Sequence, residues 1–225
     1  MEKWKRILAA ALSLCLLGSL AACGGKLTEK DAETFVKGRL DASYLGSYDQ
    51  SYIDLVEDMT MDDAKEMHEY YLEAEAEYLL SYFEVDYPTD EMTERAEKLI
   101  ETLYSKSKYT VGSASKTKDG DFVVEVTVSP VELPSLVTDE FCLNALEEAG
   151  YVEAETEEEL IAADAVYGML ILDELESLLP QLSYGEDQII MLQLKLDDEG
   201  YYSLVETGMQ KLDEVIIDYF GTYAD

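Results

Sequence analysis

Asp119-Gly120-Asp121-Phe122-Val123-Val124-Glu125-Val126-Thr127-Val128 decides the fold class of this 225-residue chain. Asp-Gly is a strong hairpin signal, because glycine accepts the positive φ that tight turns demand. Lys108–Lys118 and Asp121–Val131 flank it and read as the paired strands. In the second, Phe122, Val124, Val126 and Val128 share one face and alternate with Val123, Glu125 and Thr127. That is the two-residue period of a strand buried on one side. Pro130 and Pro134 end the run, since proline cannot donate to a sheet ladder. A second alternating stretch, Asp187–Asp197, puts Ile190, Leu192, Leu194 and Leu196 on one face, and Asp198-Glu199-Gly200 turns it into Tyr201–Leu204.

Before, between and after these hairpins the apolar period becomes helical. Thr28-Glu29-Lys30-Asp31 is a capping box, a hydroxyl followed three places later by an acid. The helix behind it runs to about Tyr44, with Ala32, Phe35, Val36 and Leu40 inward and Gly46 as its stop. Tyr52, Leu55, Val56 and Met59 predict a second, short helix. Thr60-Met61-Asp62-Asp63 caps a long one with Ala64, Met67, Tyr71, Ala74, Tyr78 and Ser81 on the inner face. Thr89 opens another, with Met92, Ala96, Leu99, Ile100 and Leu103 inward. Ser135–Ala149 reads as helix closed by Gly150, and Thr156-Glu157-Glu158-Glu159 caps the most apolar helix, Leu160 to about Leu179. Asp164, Asp173, Glu174 and Glu176 interrupt that last segment, which favours a core helix over a membrane span. The final helix carries Val205, Met209, Leu212, Ile216 and Tyr219 inward. Two hairpins separated by two helices argue against βαβ winding. The expected fold is α+β, a helix-rich single domain with a small antiparallel sheet of two hairpins packed against helices.

The chain's start has a different character. Lys3, Lys5 and Arg6 precede an apolar run from Ile7 to Leu17, and small residues follow up to Cys23. A basic start, a short apolar core and small residues before a cleavage point make a secretory signal, and the run is shorter than the roughly 20 residues a bilayer span needs. Leu20-Ala21-Ala22-Cys23 resembles the lipobox of bacterial lipoproteins. The resemblance implies cleavage between Ala22 and Cys23, a diacylglyceryl group on the Cys23 sulfur, and retention on the extracytoplasmic face of the membrane. The chain then divides into a signal (1–22), a lipidated short tether (23–27) and an acidic α+β domain (28–225).

Removing residues 1–22, which hold three basic side chains and one acid, leaves 13 basic and 49 acidic side chains, a formal net charge of −36. Such a surface excludes nucleic-acid binding and offers anionic lipid no polybasic attraction, so the membrane partner must be reached through lipid on Cys23. At 48% hydrophobic residues with regular periods, the high charge does not imply disorder. The resemblance implies that Cys15 leaves with the signal and that Cys23 is acylated, so Cys142 would be the one remaining thiol and reads as a small buried hydrophobe.

Little in the mature chain nominates chemistry. His68-Glu69-Tyr70-Tyr71-Leu72 begins like a zincin helix, but Leu72 stands where the second His ligand is needed. His68 therefore reads as a surface residue. No Gly-x-Ser-x-Gly elbow occurs. Asp119-Gly120-Asp121 and Asp197-Asp198-Glu199-Gly200 lack the ligand series of a calcium loop and read as turns. The sequence thus points to no catalytic residue, no metal ligand and no cofactor. Tyr44, Tyr48, Tyr52, Tyr70, Tyr71, Tyr78, Tyr82 and Tyr87 read mainly as amphipathic core edges, a Tyr-lined groove being the alternative.

The segment from Phe35 to Asp49, with Gly38 and Gly46, resembles the opening of exported cystatin-like and nuclear-transport-factor-like domains; the helices after Ser135 depart from that order. In its lipobox and acidic helices the chain also resembles uncharacterised surface lipoproteins of Gram-positive bacteria. Neither resemblance supplies functional residues. The expected function is a membrane-anchored extracytoplasmic lipoprotein, non-enzymatic, that binds a protein, peptide or envelope component. The alternatives are a small-ligand or cation-binding accessory to a membrane transporter, and an envelope hydrolase.

Overall fold

The computed structural model describes residues 20–21, 27–198 and 200–220. Ala22, Cys23 and the rest of the signal and tether through residue 26 lie outside them, as does Glu199. The elements in order are β1 (Leu20–Ala21), α1 (Glu29–Leu45), α2 (Gln50–Ile53), α3 (Met61–Tyr82), α4 (Asp90–Tyr104), β2 (Lys108–Lys116), β3 (Phe122–Ser129), β4 (Val131–Glu132), α5 (Asp139–Glu148), α6 (Glu157–Leu178), β5 (Ser183–Tyr184), β6 (Gln188–Leu196), β7 (Tyr201–Leu204), α7 (Glu206–Ile216) and β8 (Ile217–Asp218). The result is the α+β arrangement the sequence predicts.

Both hairpins form and join one antiparallel sheet in the order β1-β7-β6-β3-β2. Phe122, Val124, Val126, Val128, Leu192 and Leu194 are fully buried on its inner face. The hairpin connection is longer than a two-residue turn. Thr117 N–H donates to the Asp121 carbonyl at 2.8 Å, and Gly120 takes φ 99° between them. A bulge in β2, between Val111 and Ala114, was not visible in the sequence. The extra residue lets positions three apart both turn toward the interior, against the strict alternation of an unbroken strand. A second, three-stranded sheet, β5-β4-β8, was not foreseen either: β4 runs antiparallel to β5 and parallel to β8. Its strands are two residues long, too short to carry a period.

The helices start where the hydroxyls stand. Thr28, Thr60, Thr89, Thr138 and Thr156 cap α1, α3, α4, α5 and α6 through their side chains, each cap being worth about 1 kcal/mol. Acids follow in every one of those first turns, where the helix dipole favours negative charge. The helix expected from Ser135 begins instead at Asp139, because Pro134–Leu136 forms a 3-10 turn and Thr138 takes the cap. The second helix is cut to Gln50–Ile53; Leu55, Val56 and Met59 follow it outside helix. In α3 the buried residues are Ala64, Met67, Tyr71, Ala76, Leu79 and Leu80. The expected stripe through Ala74, Tyr78 and Ser81 steps by alternating threes and fours, a 3.5-residue period. A straight helix of 3.6 residues per turn drifts off it by about 20° per heptad.

α1 and α7 lie against the sheet's inner face, α3 and α4 pack behind α1, and α6 packs on α4 with α5 beside it. Leu27, at the end of the expected tether, is itself part of the core. α2 crosses α1 at Gly38, where an added Cβ would fall 2.2 Å from Tyr52 Cβ, so only glycine fits that contact. α6 does not meet the length and hydropathy of a membrane span, nor does any other helix among the described residues.

Asp164, fully buried on α6, fastens this outer layer. Its carboxyl accepts from the backbone N–H of Asp86 (3.1 Å) and Tyr87 (2.7 Å) and from the Tyr151 hydroxyl. Removing the acceptor would strand three donors, each costing about 1–3 kcal/mol when buried. Asp164→Ala is expected to lower unfolding free energy by about 3 kcal/mol or more in urea titration. A loss below about 1 kcal/mol would contradict this role.

Candidate functional site: a carboxyl pair framed by tyrosines

Inward positions on helices are normally apolar, yet two hold acids. Glu75 sits on α3 four residues after Tyr71 and three before Tyr78, so all three share one face. Asp213 sits on α7 four residues after Met209 and three before Ile216, both buried. Each acid keeps some surface in reach of water, while its carboxyl group is held by tyrosine hydroxyls of the interior. The two are close enough for the charge of Glu75 to disfavour ionisation of Asp213.

Tyrosine hydroxyls supply the hydrogen bonds. Tyr44, near the end of α1, donates to Asp213 Oδ1. Tyr219, just past β8, donates to Glu75 Oε1 at 2.6 Å, and Tyr104 at the end of α4 also hydrogen-bonds Glu75. The Tyr44 ring meets Tyr71, Tyr104 and Tyr109 edge-on at centroid distances of 5.9, 5.2 and 6.3 Å, geometries favoured by the ring quadrupole. Tyr109 on β2 donates to Asp41 at 2.8 Å. Arg39 is buried nearby against Met67, hydrogen-bonds Tyr52 and lowers the proton affinity of Asp213.

Burial dominates the electrostatics. It raises Glu75 to about 7, against the opposing pull of the Tyr219 and Tyr104 hydrogen bonds. It raises Asp213 to about 7 as well; the Tyr44 hydroxyl opposes the rise, and the neighbouring Glu75 charge adds to it. Tyr44, Tyr104 and Tyr219 are pushed well above the ordinary phenol value, first by burial and then by these acids, so they stay neutral donors. A pair of carboxyls poised near neutral pH can take up and release protons, and its hydroxyl partners hold it in place in either state.

The residues singled out in the sequence scatter around this cluster. Tyr44, Tyr52 and Tyr71 are buried in or beside it, Tyr78 and Tyr82 stack on Tyr219 at 4.8 and 5.1 Å, and Tyr87 is exposed elsewhere. These tyrosines are therefore spread between the interior, its edge and the surface. His68 is not a surface residue: half-buried, it donates from Nδ1 to the Ser43 carbonyl at 2.9 Å and rests against Gly46. It thus serves the C-terminal end of α1. Cys142 is half-buried against Tyr167, with burial raising its thiol. Asp121 is taken up by Gln193 and the Leu196 N–H, and Asp197 by the Tyr201 N–H, as expected of turn residues. Among the described residues no group of three or more His, Cys, Asp or Glu side chains is placed to hold a metal ion. Sequence reasoning missed Glu75, Tyr104, Asp213 and Tyr219 as a set. The available signal was an acid on each apolar stripe, at helical spacing from its buried neighbours.

Comparison with known proteins finds no matching family model and no matching curated protein. Among solved structures, the chain is similar to the crystal structure of YcdA from Bacillus subtilis, a protein assigned as a lipoprotein, with a TM-score of 0.54 and 17% sequence identity. The match covers 83% of this chain and 56% of that one, so the chain spans just over half the length of its structural neighbour. At that identity the likeness is one of fold.

Both carboxyls hold protons more tightly in the folded chain than in the unfolded one, where such groups titrate near 4. Their contribution to stability is therefore fully present below about pH 4, declines as pH rises from about 4 toward 7, and levels off above. The slope reaches at most about 1.4 kcal/mol per pH unit for each group. Glu75→Gln and Asp213→Asn are expected to flatten this decline in urea melts between pH 4.5 and 8. Variants that keep the parent slope would show that the acids do not titrate in the interior.

Proposed function

We propose that this chain is a lipoprotein of the cell envelope, held on the extracytoplasmic face by a diacylglyceryl group on Cys23, and that its acidic domain is a non-enzymatic binding module. The observation that carries the anchor is Leu20-Ala21-Ala22-Cys23 behind a basic start and a short apolar run. The fold likeness to a protein assigned as a lipoprotein supports it. So does the lack, among the described residues, of a helix able to cross a membrane, because attachment then calls on lipid.

Binding is favoured over catalysis by how the polar groups are engaged. Glu75 and Asp213 are both committed to tyrosine hydroxyls, and the His68 Nδ1 is committed to a backbone carbonyl. A general acid or base must reach a substrate proton, and these groups are instead engaged by partners within the chain.

Cys23→Ala is expected to move the protein out of the diacylglyceryl-modified pool, seen as loss of fatty-acid labelling, and to abolish its stable retention on processed membranes. Equal labelling of parent and variant would overturn the anchor. For the module, an envelope extract passed over the lipidated protein should yield a saturable, stoichiometric partner absent from a lipidated control domain. Turnover of an envelope substrate by the purified chain would instead establish an enzyme.

A further inference from the structure

The most apolar helix runs its buried stripe past the body it packs on. In α6, Ala163, Asp164, Tyr167, Gly168 and Ile171 are buried, and Leu160 and Ile161 stand four and three residues before Asp164, on the same face. They continue the stripe by one turn, yet they are 38% and 41% exposed. Tyr87 (46% exposed) and Val152 (78%) flank that turn. Their position is fixed by Asp164, which accepts from the Tyr87 N–H, and from the hydroxyl of Tyr151, the residue before Val152. Leu160, Ile161, Tyr87 and Val152 thus leave exposed apolar surface on segments that one buried carboxyl ties together.

The charge around this patch has one sign. Glu153, Glu155, Glu157 and Glu158 are exposed beside it. From Asp119 to Leu194 the chain contains no Lys, Arg or His. An apolar centre within an anionic rim selects against three occupants. A second copy brings the same negative field. An anionic bilayer and a nucleic acid are repelled likewise. A small cation would gain from the rim and leave the apolar centre uncovered. A segment with apolar anchors on one face and Lys or Arg on the other satisfies both parts at once.

We propose that the first turn of α6, with Tyr87 and Val152, is the docking site for a cationic amphipathic segment of another envelope protein. This deepens the binding-module reading and rests on it. The partner's apolar residues cover Leu160 and Ile161, and its cations face the glutamates from 153 to 158. The exposed Ile189 and Met191 on the outer face of β6 make a useful control, since Lys195 lies on that same face.

The test uses the full lipidated chain in nanodiscs of zwitterionic lipid. The probe is a fluorescent 14-residue Leu/Lys peptide with helical amphipathicity, read by anisotropy with empty discs subtracted. Binding is expected to weaken at least tenfold in Leu160→Gln/Ile161→Gln, to stay unchanged in Ile189→Gln/Met191→Gln, and to fall as salt rises. A scrambled Leu/Lys peptide and a Leu/Glu peptide should bind at least tenfold more weakly than the probe. Thermal melts confirm that both variants are folded. Equal binding by both variants, equal binding by the scrambled peptide, or no binding by the parent overturns the docking site. So does self-association in sedimentation that Leu160→Gln/Ile161→Gln abolishes, which would name a second copy as occupant. A stoichiometric envelope partner held equally by Leu160→Gln/Ile161→Gln would sink this site and leave the binding module standing. Absence of any such partner would remove the module itself.

Discussion

The hydrogen bond from Tyr44 to Asp213 joins the first long helix to the last across 169 positions of sequence, and the interior is organised around it. α1 and α7 both lie on the inner face of the sheet. Their polar contact fixes how the two ends of the domain meet. It also brings Glu75 on α3 and Tyr104 on α4 into the same network. A buried carboxyl is costly unless it is hydrogen-bonded or protonated. Here both remedies are used: phenol donors surround the acids, and burial keeps their proton affinity near neutrality.

The choice of tyrosine follows from composition. A buried acid is most often met by Arg or Lys, but the expected mature chain has 13 basic side chains for 49 acids. Seventeen tyrosines supply donors that are also large apolar bodies, so one side chain can fill core volume and satisfy an acid. The same substitution recurs at Asp164, whose partners are Tyr151 and two backbone N–H groups. Where a cation is used, it comes from outside the segment that lacks cations. Arg95 on α4 reaches Asp173 and Glu176 on α6, each at 2.8 Å, and ties that anionic segment to the body.

Local signals were legible and non-local ones were not. Asp119-Gly120, the valines of β3 and four of the five threonine caps are written within a few residues, and each produced its element. The bulge in β2 depends on its pairing with β3. The parallel contact of β4 with β8 joins residues more than 80 positions apart, and neither strand is long enough to show a pattern. Glu75 and Asp213 lay hidden for a related reason. In a chain with 50 acids, an acid on an apolar stripe is easily taken for the edge of a solvated face. Only the convergence of α1, α3, α4 and α7 distinguishes it. Leu160 and Ile161 failed in the opposite sense: their spacing marks them as core, but the body they would pack against ends one turn too soon.

The proposed anchor and the carboxyl pair lie at opposite ends of α1. Leu27 enters the core just before the Thr28 cap, and Tyr44 stands 16 residues later, about 24 Å along a helix rising 1.5 Å per residue. The Debye length at physiological salt is about 8 Å. If the proposed anchor leaves α1 pointing away from the membrane, that length holds Tyr44 and its partner Asp213 beyond the Debye length from lipid headgroups. The proton affinity of Glu75 and Asp213 is then set by burial, by the hydroxyls of Tyr44, Tyr104 and Tyr219, and by each other, with little influence from the surface potential. On the proposed anchoring the short spacer would hold the domain near the membrane, and α1, so oriented, would keep the titrating interior away from it.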